Sequence, residues 1–148
     1  MYRVQVSISH YCLPEPLCVC LRVIQCLILR EEHNLTFISR ALATVNNLIY
    51  FPSGTYVVTS TILIPRYARI TGEVWSQLAA RGPYFADMAR PQVMIRVGNV
   101  GDIGTVEISD MLFTSIGALP GLIMMEWNVQ AETKGSVGMW DAHFRVGK

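Results

Sequence analysis

Short apolar runs separated by turn residues dominate the chain from Leu48 onward. The runs are rich in Val, Ile, Thr and aromatic residues, a composition typical of β-strands. The predicted strands are Leu48–Phe51, Thr55–Val58, Thr61–Ile64, Ala68–Thr71, Gln92–Val97, Thr105–Thr114, Gly121–Trp127 and Met139–Val146. Clusters of Gly, Pro and Ser between them predict turns at Pro52–Gly54, Gly98–Gly104, Gly117–Gly121 and Lys134–Ser136.

One short pattern occurs twice in the second half of the chain. Apolar residues lead to an Asp, and a Phe follows three positions later, as Asp110 with Phe113 and again as Asp141 with Phe144. The two copies are 31 residues apart. A period of this length, with strands in each unit and Gly-rich turns between, predicts a β-solenoid with stacked parallel strands. The paired Asp and Phe residues are expected to stack, with both rings inside.

The first 46 residues follow a different pattern. An apolar run, Leu17–Leu29, has near-helical spacing and predicts a helix over 17–30, and Thr36–Val45 is a weaker helix candidate. The run is too short to span a bilayer and lacks a clear signal-peptide layout. We therefore predict a loosely packed, partly helical segment at 1–46 and a solenoid domain at 47–148.

All four cysteines lie in that first segment, as Cys12, Cys18, Cys20 and Cys26. Their spacing is not that of a zinc site, and Cys18 and Cys20 are too close to bridge each other without strain. We interpret them as small apolar residues. Neither a metal nor a cofactor is expected.

Composition excludes several classes of function. Apolar residues make up 51% of the chain and charged residues 16%, which excludes a disordered protein. The net charge is +1, and Lys and Arg are scattered singly. A nucleic-acid partner would require a clustered basic patch, so we expect no nucleic-acid binding. The short apolar run likewise leads us to expect no membrane span.

Four blocks of sequence carry a family resemblance that covers about residues 48–148. Ile49–Val58, with its Pro-Ser-Gly-Thr-Tyr turn, resembles the opening coils of the pectate-lyase superfamily. The blocks Val106–Thr114, Met124–Val129 and Gly135–Gly147 resemble, in that order, fungal β-1,3-glucanases of glycoside hydrolase family 55.

This resemblance implies an all-β, right-handed parallel β-helix. It further implies an extracellular protein with two such helices side by side, exo-cleavage of β-1,3-glucan with inversion, and a general-acid Glu on the second helix. The chain stops at Lys148, inside the first helix, and its first 46 residues lack the Asp-rich entry of the family. On this interpretation it is an inactive fragment whose partners are a β-glucan and the missing second helix domain.

Two other classes stay open. A non-catalytic carbohydrate-binding or structural solenoid would share the same strands and turns. A polysaccharide lyase would require carboxylates clustered for calcium, and no such Asp cluster is present in the sequence.

The best site candidates end a predicted strand where a long loop begins. Glu126, Trp127 and Asn128 could stack on a sugar and bond its hydroxyls. Trp140, Asp141 and His143 are weaker substrate-groove candidates, and no residue is assigned as catalytic. The structural alternatives are a core Trp127, an Asp110–Asp141 pair that only caps turns, a structural His143 and a solvated Glu107.

Overall fold

The computed structural model describes residues 24–25, 42 and 48–146. Within them almost every element is a strand, so the predicted all-β class is confirmed. The strands are β1 (Ile24–Gln25), β2 (Leu48–Phe51), β3 (Gly54–Val58), β4 (Ile62–Ile64), β5 (Arg69–Gly72), β6 (Ser76–Ala80), β7 (Gln92–Val97), β8 (Ile103–Gly104), β9 (Val106–Ser109), β10 (Leu112–Ser115), β11 (Leu122–Trp127), β12 (Gln130–Ala131), β13 (Val137–Trp140) and β14 (His143–Arg145). A 3-10 helix, η1, spans Pro83–Phe85.

These strands form four sheets in which every pairing is parallel. Sheet A has the order β1-β2-β5-β9-β13, sheet B β14-β10-β6-β3, sheet C β11-β7-β4, and sheet D β12-β8. The chain passes from sheet A to B to C, from β7 onward also through D, and then returns to A beside its own earlier strand. The prediction of stacked parallel strands over 92–146 is therefore confirmed.

In the last two passes of the chain, residues that pair between neighbouring strands of sheets A and B are 31 positions apart in sequence. Val106 pairs with Val137, and Phe113 pairs with Phe144. The two Phe rings stack with centroids 5.2 Å apart. Phe113 is 1% exposed and Phe144 48%, so the prediction that both rings lie inside is correct for Phe113 and wrong for Phe144.

Two long predicted strands, Thr105–Thr114 and Met139–Val146, are each two strands joined by a corner. The corners are Asp110 and Asp141, whose φ angles are 57° and 47°. Asp tolerates this left-handed conformation better than most residues, so the chain can turn there without Gly or Pro. Neither corner is marked by Gly or Pro, so the sequence pattern predicts one continuous strand through each Asp.

Strand β6 (Ser76–Ala80) was not predicted at all. Its sequence, Ser-Gln-Leu-Ala-Ala, has low intrinsic preference for strands. It forms because it lies between β3 and β10 and bonds to both. Ala79 and Ala80 are fully buried there, so tertiary pairing overrides local propensity.

Little of the N-terminal segment is described, and one point corrects the prediction for 1–46. Ile24–Gln25 form a strand paired with Ile49 and Tyr50, so the helix predicted over 17–30 is wrong at those two residues. Leu42 is helical, in agreement with the weaker helix candidate Thr36–Val45 at that position, and it is buried in the core. The loose packing of 1–46 stays a prediction. The four cysteines lie outside the described residues.

The core consists of ladders of apolar side chains stacked from strand to strand. In sheet A, Ile49, Ile70 and Ile108 pair in register and are all buried. In sheet B the equivalent ladder is Tyr56, Leu78, Phe113 and Phe144. Each ladder member covers the one before it, so burial depends on register. No helix among the described residues is long and apolar enough to cross a membrane.

The Phe ladder gives a matched test of this core. We expect Phe113→Ala to lower the free energy of unfolding by about 3–5 kcal/mol, because it leaves a cavity in a closed part of the core. Phe144→Ala, at the equivalent position one period later, should cost clearly less because its ring is half exposed. Urea unfolding of both variants measures the difference, and equal losses would contradict the stacking order.

Candidate functional site

Glu126 is the penultimate residue of strand β11 and lies within a group of polar side chains on the outer face of sheet C. A nitrogen of Arg96, its register partner on β7, lies 3.5 Å from Glu126 Oε2. The Asn128 side-chain amide donates to Glu126 Oε1 at 2.7 Å and to the Gly98 carbonyl at 3.3 Å. We call Arg96, Glu126 and Asn128 the sheet C polar cluster.

Strand alternation places this cluster outside. Ile95 and Val97 flank Arg96 and are fully buried, so Arg96 points away from the core. Glu126 takes the same orientation because it pairs with Arg96 in register. The sequence pointed to Glu126 and Asn128 but missed Arg96, whose only signal was one charged residue inside an apolar strand.

Trp127 lies on the opposite face of β11 from Glu126. It pairs with buried Val97, packs against the core, and donates its indole N–H to the Val129 carbonyl at 3.1 Å. Trp127 therefore packs as a core residue, which is the structural alternative given for it above. The predicted group of three is divided: Glu126 and Asn128 meet on the outside, and the indole does not join them.

The three weaker candidates occupy other parts of the fold. Trp140 ends β13 on sheet A, Asp141 forms the following corner, and His143 begins β14 on sheet B. All three are exposed. Because Glu126 belongs to sheet C, the sequence-predicted residues are spread over three sheets and do not form one cluster.

The Asp110–Asp141 pair has a structural role in the corners. The residues before and after the two Asp residues pair in register, so both occur at the same corner in successive passes. The Asp110 N–H donates to the Trp140 carbonyl at 3.1 Å. A left-handed backbone at a repeated corner favours the scaffold interpretation over a catalytic carboxylate pair.

Glu107 is the outward residue that its strand pattern predicted. It lies between buried Val106 and Ile108, and its carboxylate is 3.1 Å from Arg69 Nε on the neighbouring strand. Over residues 48–146 the His, Asp and Glu side chains do not form a group of three or more that could hold a metal ion.

The chemistry of the sheet C polar cluster suits hydroxyl recognition. Guanidinium and amide N–H groups donate, and the carboxylate oxygens accept. Both Glu126 oxygens already have protein partners, so the carboxylate is held in place, with 37% of the side chain accessible. Such a group can bind the hydroxyls of a polar ligand that lies along sheet C.

The two cross-strand ion pairs should contribute little to stability. We expect double-mutant cycles of Arg96→Ala with Glu126→Ala, and of Arg69→Ala with Glu107→Ala, to give couplings of about 0.2–1 kcal/mol, since all four side chains are accessible to solvent. Both couplings should fall as salt is added. Chemical unfolding at low and high salt measures them, and a coupling that salt leaves unchanged would contradict this.

No family model matches the chain. Over 105 residues, 71% of the chain, it is 52% identical to a protein of Arthroderma benhamiae named probable glucan endo-1,3-beta-glucosidase. It is 34% identical over 119 residues to glucan endo-1,3-beta-glucosidase BGN13.1 of Trichoderma harzianum. It is also 43% identical over 105 residues to non-secreted LysM effector LysM19 of Penicillium expansum. The chain spans 12%, 16% and 8% of the lengths of these three relatives.

Proposed function

We propose that this chain is part of a fungal protein that hydrolyses β-1,3-glucan and belongs to glycoside hydrolase family 55. The observation that carries the proposal is the 52% identity over 105 residues to a protein named as a glucan endo-1,3-beta-glucosidase. In this proposal the four parallel sheets are successive faces of a right-handed parallel β-helix, and the strand register supports that architecture.

The sheet C polar cluster is proposed as one wall of a glucan groove. Its Arg and Asn donors and its Glu acceptor suit the hydroxyls of an uncharged sugar. A second β-helix domain would supply the other wall. The protein would act outside the cell on a polysaccharide. That location is a proposal in its own right, because the names of two relatives describe them as non-secreted.

The chemical step is proposed to depend on an acid outside the described residues. An inverting glycosidase needs a general acid and a base about 6.5–9.5 Å apart across the scissile bond. Glu107 and Glu126 each lie in an ion pair with Arg, and Asp110 and Asp141 form corners. Asp87 and Asp102 accept backbone N–H bonds of their own loops. These contacts and positions favour scaffold or groove roles for these six carboxylates, with the acid on the second domain.

A second candidate is a carbohydrate-binding or structural β-solenoid without catalysis. Two relatives that are 43% and 44% identical over 105 residues are named as LysM effectors rather than as glucanases. Similar segments therefore occur in proteins whose names do not include hydrolysis.

A segment exchange separates the two candidates. The 105-residue region of the Arthroderma benhamiae relative is replaced by the matching region of this chain, and glucose or oligosaccharide release from laminarin is measured. We expect a folded chimera with laminarin hydrolysis, because the segment supplies the same scaffold and groove wall. A folded chimera without activity would favour the non-catalytic solenoid.

The isolated chain should not hydrolyse laminarin. We expect no glucose release above background from the purified 148-residue chain, because a single groove wall lacks the acid–base pair. Glu126→Gln is the control and should behave identically. If the chain releases glucose and Glu126→Gln abolishes that release, Glu126 is catalytic. This result would contradict the proposal that the acid lies on a second domain.

A further inference from the structure

A row of four side chains crosses the outer face of sheet A at right angles to its strands. Tyr50 pairs with Thr71, Thr71 with Ser109, and Ser109 with Trp140. We call these four residues the sheet A row. Adjacent strands are ~4.8 Å apart, so the row extends over about 14 Å.

Alternation along the strands shows that the row faces outward. The preceding residues Ile49, Ile70 and Ile108 are buried in the core ladder. Neighbours in a strand point to opposite faces, so the row lies on the side away from the core. This face of sheet A is separate from the sheet C polar cluster.

The two middle positions of the row present hydroxyl groups. Thr71 Oγ1 and Ser109 Oγ lie 2.9 Å apart, and either can donate to the other. Each hydroxyl has one donor and two acceptor sites, so both keep capacity for a further partner after this bond. The centre of the row can therefore bond a hydroxylated ligand at adjacent points.

The row ends in an accessible indole. Trp140 is 49% exposed. Its six-membered ring lies over Gly138 on the same strand, where an added Cβ would come within 3.2 Å of the ring. Because Gly138 has no side chain, the indole can rest against the strand. An indole supported in this way offers a surface on which the C–H face of a sugar can stack.

The other end of the row is a second aromatic ring, Tyr50, which pairs in register with Thr71. Desolvation, and then the charge of Glu73 and a hydrogen bond to it, raise the pKa of the Tyr50 phenol. The Glu73 carboxylate also accepts the Ser53 N–H at 2.8 Å. The row therefore has an uncharged aromatic residue at each end.

Charge along this face favours an uncharged ligand. The four residues of the row carry no charge. In the next outward ladder, Arg69 and Glu107 neutralise each other at 3.1 Å. A polyanion such as a polyuronate would need cations that are not already paired with carboxylates, and a lipid surface would need a broader apolar patch.

We propose that the sheet A row binds a β-1,3-glucan chain laid across the strands, with sugar rings on Trp140 and Tyr50 and hydroxyls bonded to Thr71 and Ser109. The preference for an uncharged polyol follows from the residues of the row. The identification of that polyol as β-1,3-glucan rests on the proposed function. The row would hold polysaccharide at a face apart from the groove wall on sheet C.

Affinity electrophoresis of the full 148-residue chain in gels containing laminarin tests this proposal. The wild type should be retarded, and Trp140→Ala should weaken the apparent affinity about tenfold, as expected for the loss of one stacking face. Trp140→Phe should retain part of the retardation. The double substitution Thr71→Val with Ser109→Ala should also weaken binding, because it removes the hydroxyls and preserves strand-compatible side chains.

Matched controls assign the effect to this face. Tyr84→Ala removes a partly exposed aromatic ring on η1, which belongs neither to the row nor to the sheet C polar cluster. This variant should bind laminarin as the wild type does. Gels containing polygalacturonate should not retard the wild type. Circular dichroism confirms folding, and if Trp140→Ala does not fold, the hydroxyl variant and Trp140→Phe decide the outcome.

Three results would overturn the assignment: no retardation of the wild type, equal retardation of the wild type and the row variants, or stronger retardation by polygalacturonate. The laminarin hydrolysis of the segment-exchange chimera is measured separately from binding to the row. A failure of the row proposal can therefore be distinguished from a failure of the proposed function.

Discussion

In-register parallel pairing is the constraint on which the rest of this structure depends. Each strand places its side chains directly beside those of the strand before it, so Ile49, Ile70 and Ile108 form one buried ladder. Side chains alternate with period two, so a shift of one residue would move every member of a ladder to the opposite face. Core formation and the order of residues on the outer faces follow from the same register.

The corners let the covalent chain turn from one sheet to the next while the strands stay in register. Asp110 and Asp141 turn the chain within one residue by adopting a left-handed backbone. At the equivalent corner one pass earlier, the buried Ser76 hydroxyl lies 2.7 Å from the Phe51 carbonyl and 2.8 Å from the Glu73 carbonyl. At Gly72, a side chain would overlap the Asp110 carbonyl oxygen. Small or left-handed residues are needed because successive corners stack closely.

The outer faces of the sheets can present binding groups. Outward side chains do not fill the core, so their type can vary as long as the strands still pair. Sheet C uses this freedom for an Arg–Glu–Asn group, and sheet A for two aromatic rings with two hydroxyls between them. The 31-residue repeat itself supplies scaffold: Phe113 stacks, and Asp110 turns the chain. The residues suited to ligand binding lie on the outward positions of the strands between corners.

The sequence by itself determined the strand-rich class, the parallel stacking of the last two passes and the outward position of Glu107, because these follow from local alternation and a visible period. Tertiary structure decided the rest. Thr71 is 21 residues from Tyr50 and 38 from Ser109, so no constant spacing reveals that they form one row. Strand β6 exists only because its neighbours pair with it. Trp127 packs against the core because its register partner is Val97, and a pairing between distant strands cannot be read from either strand alone.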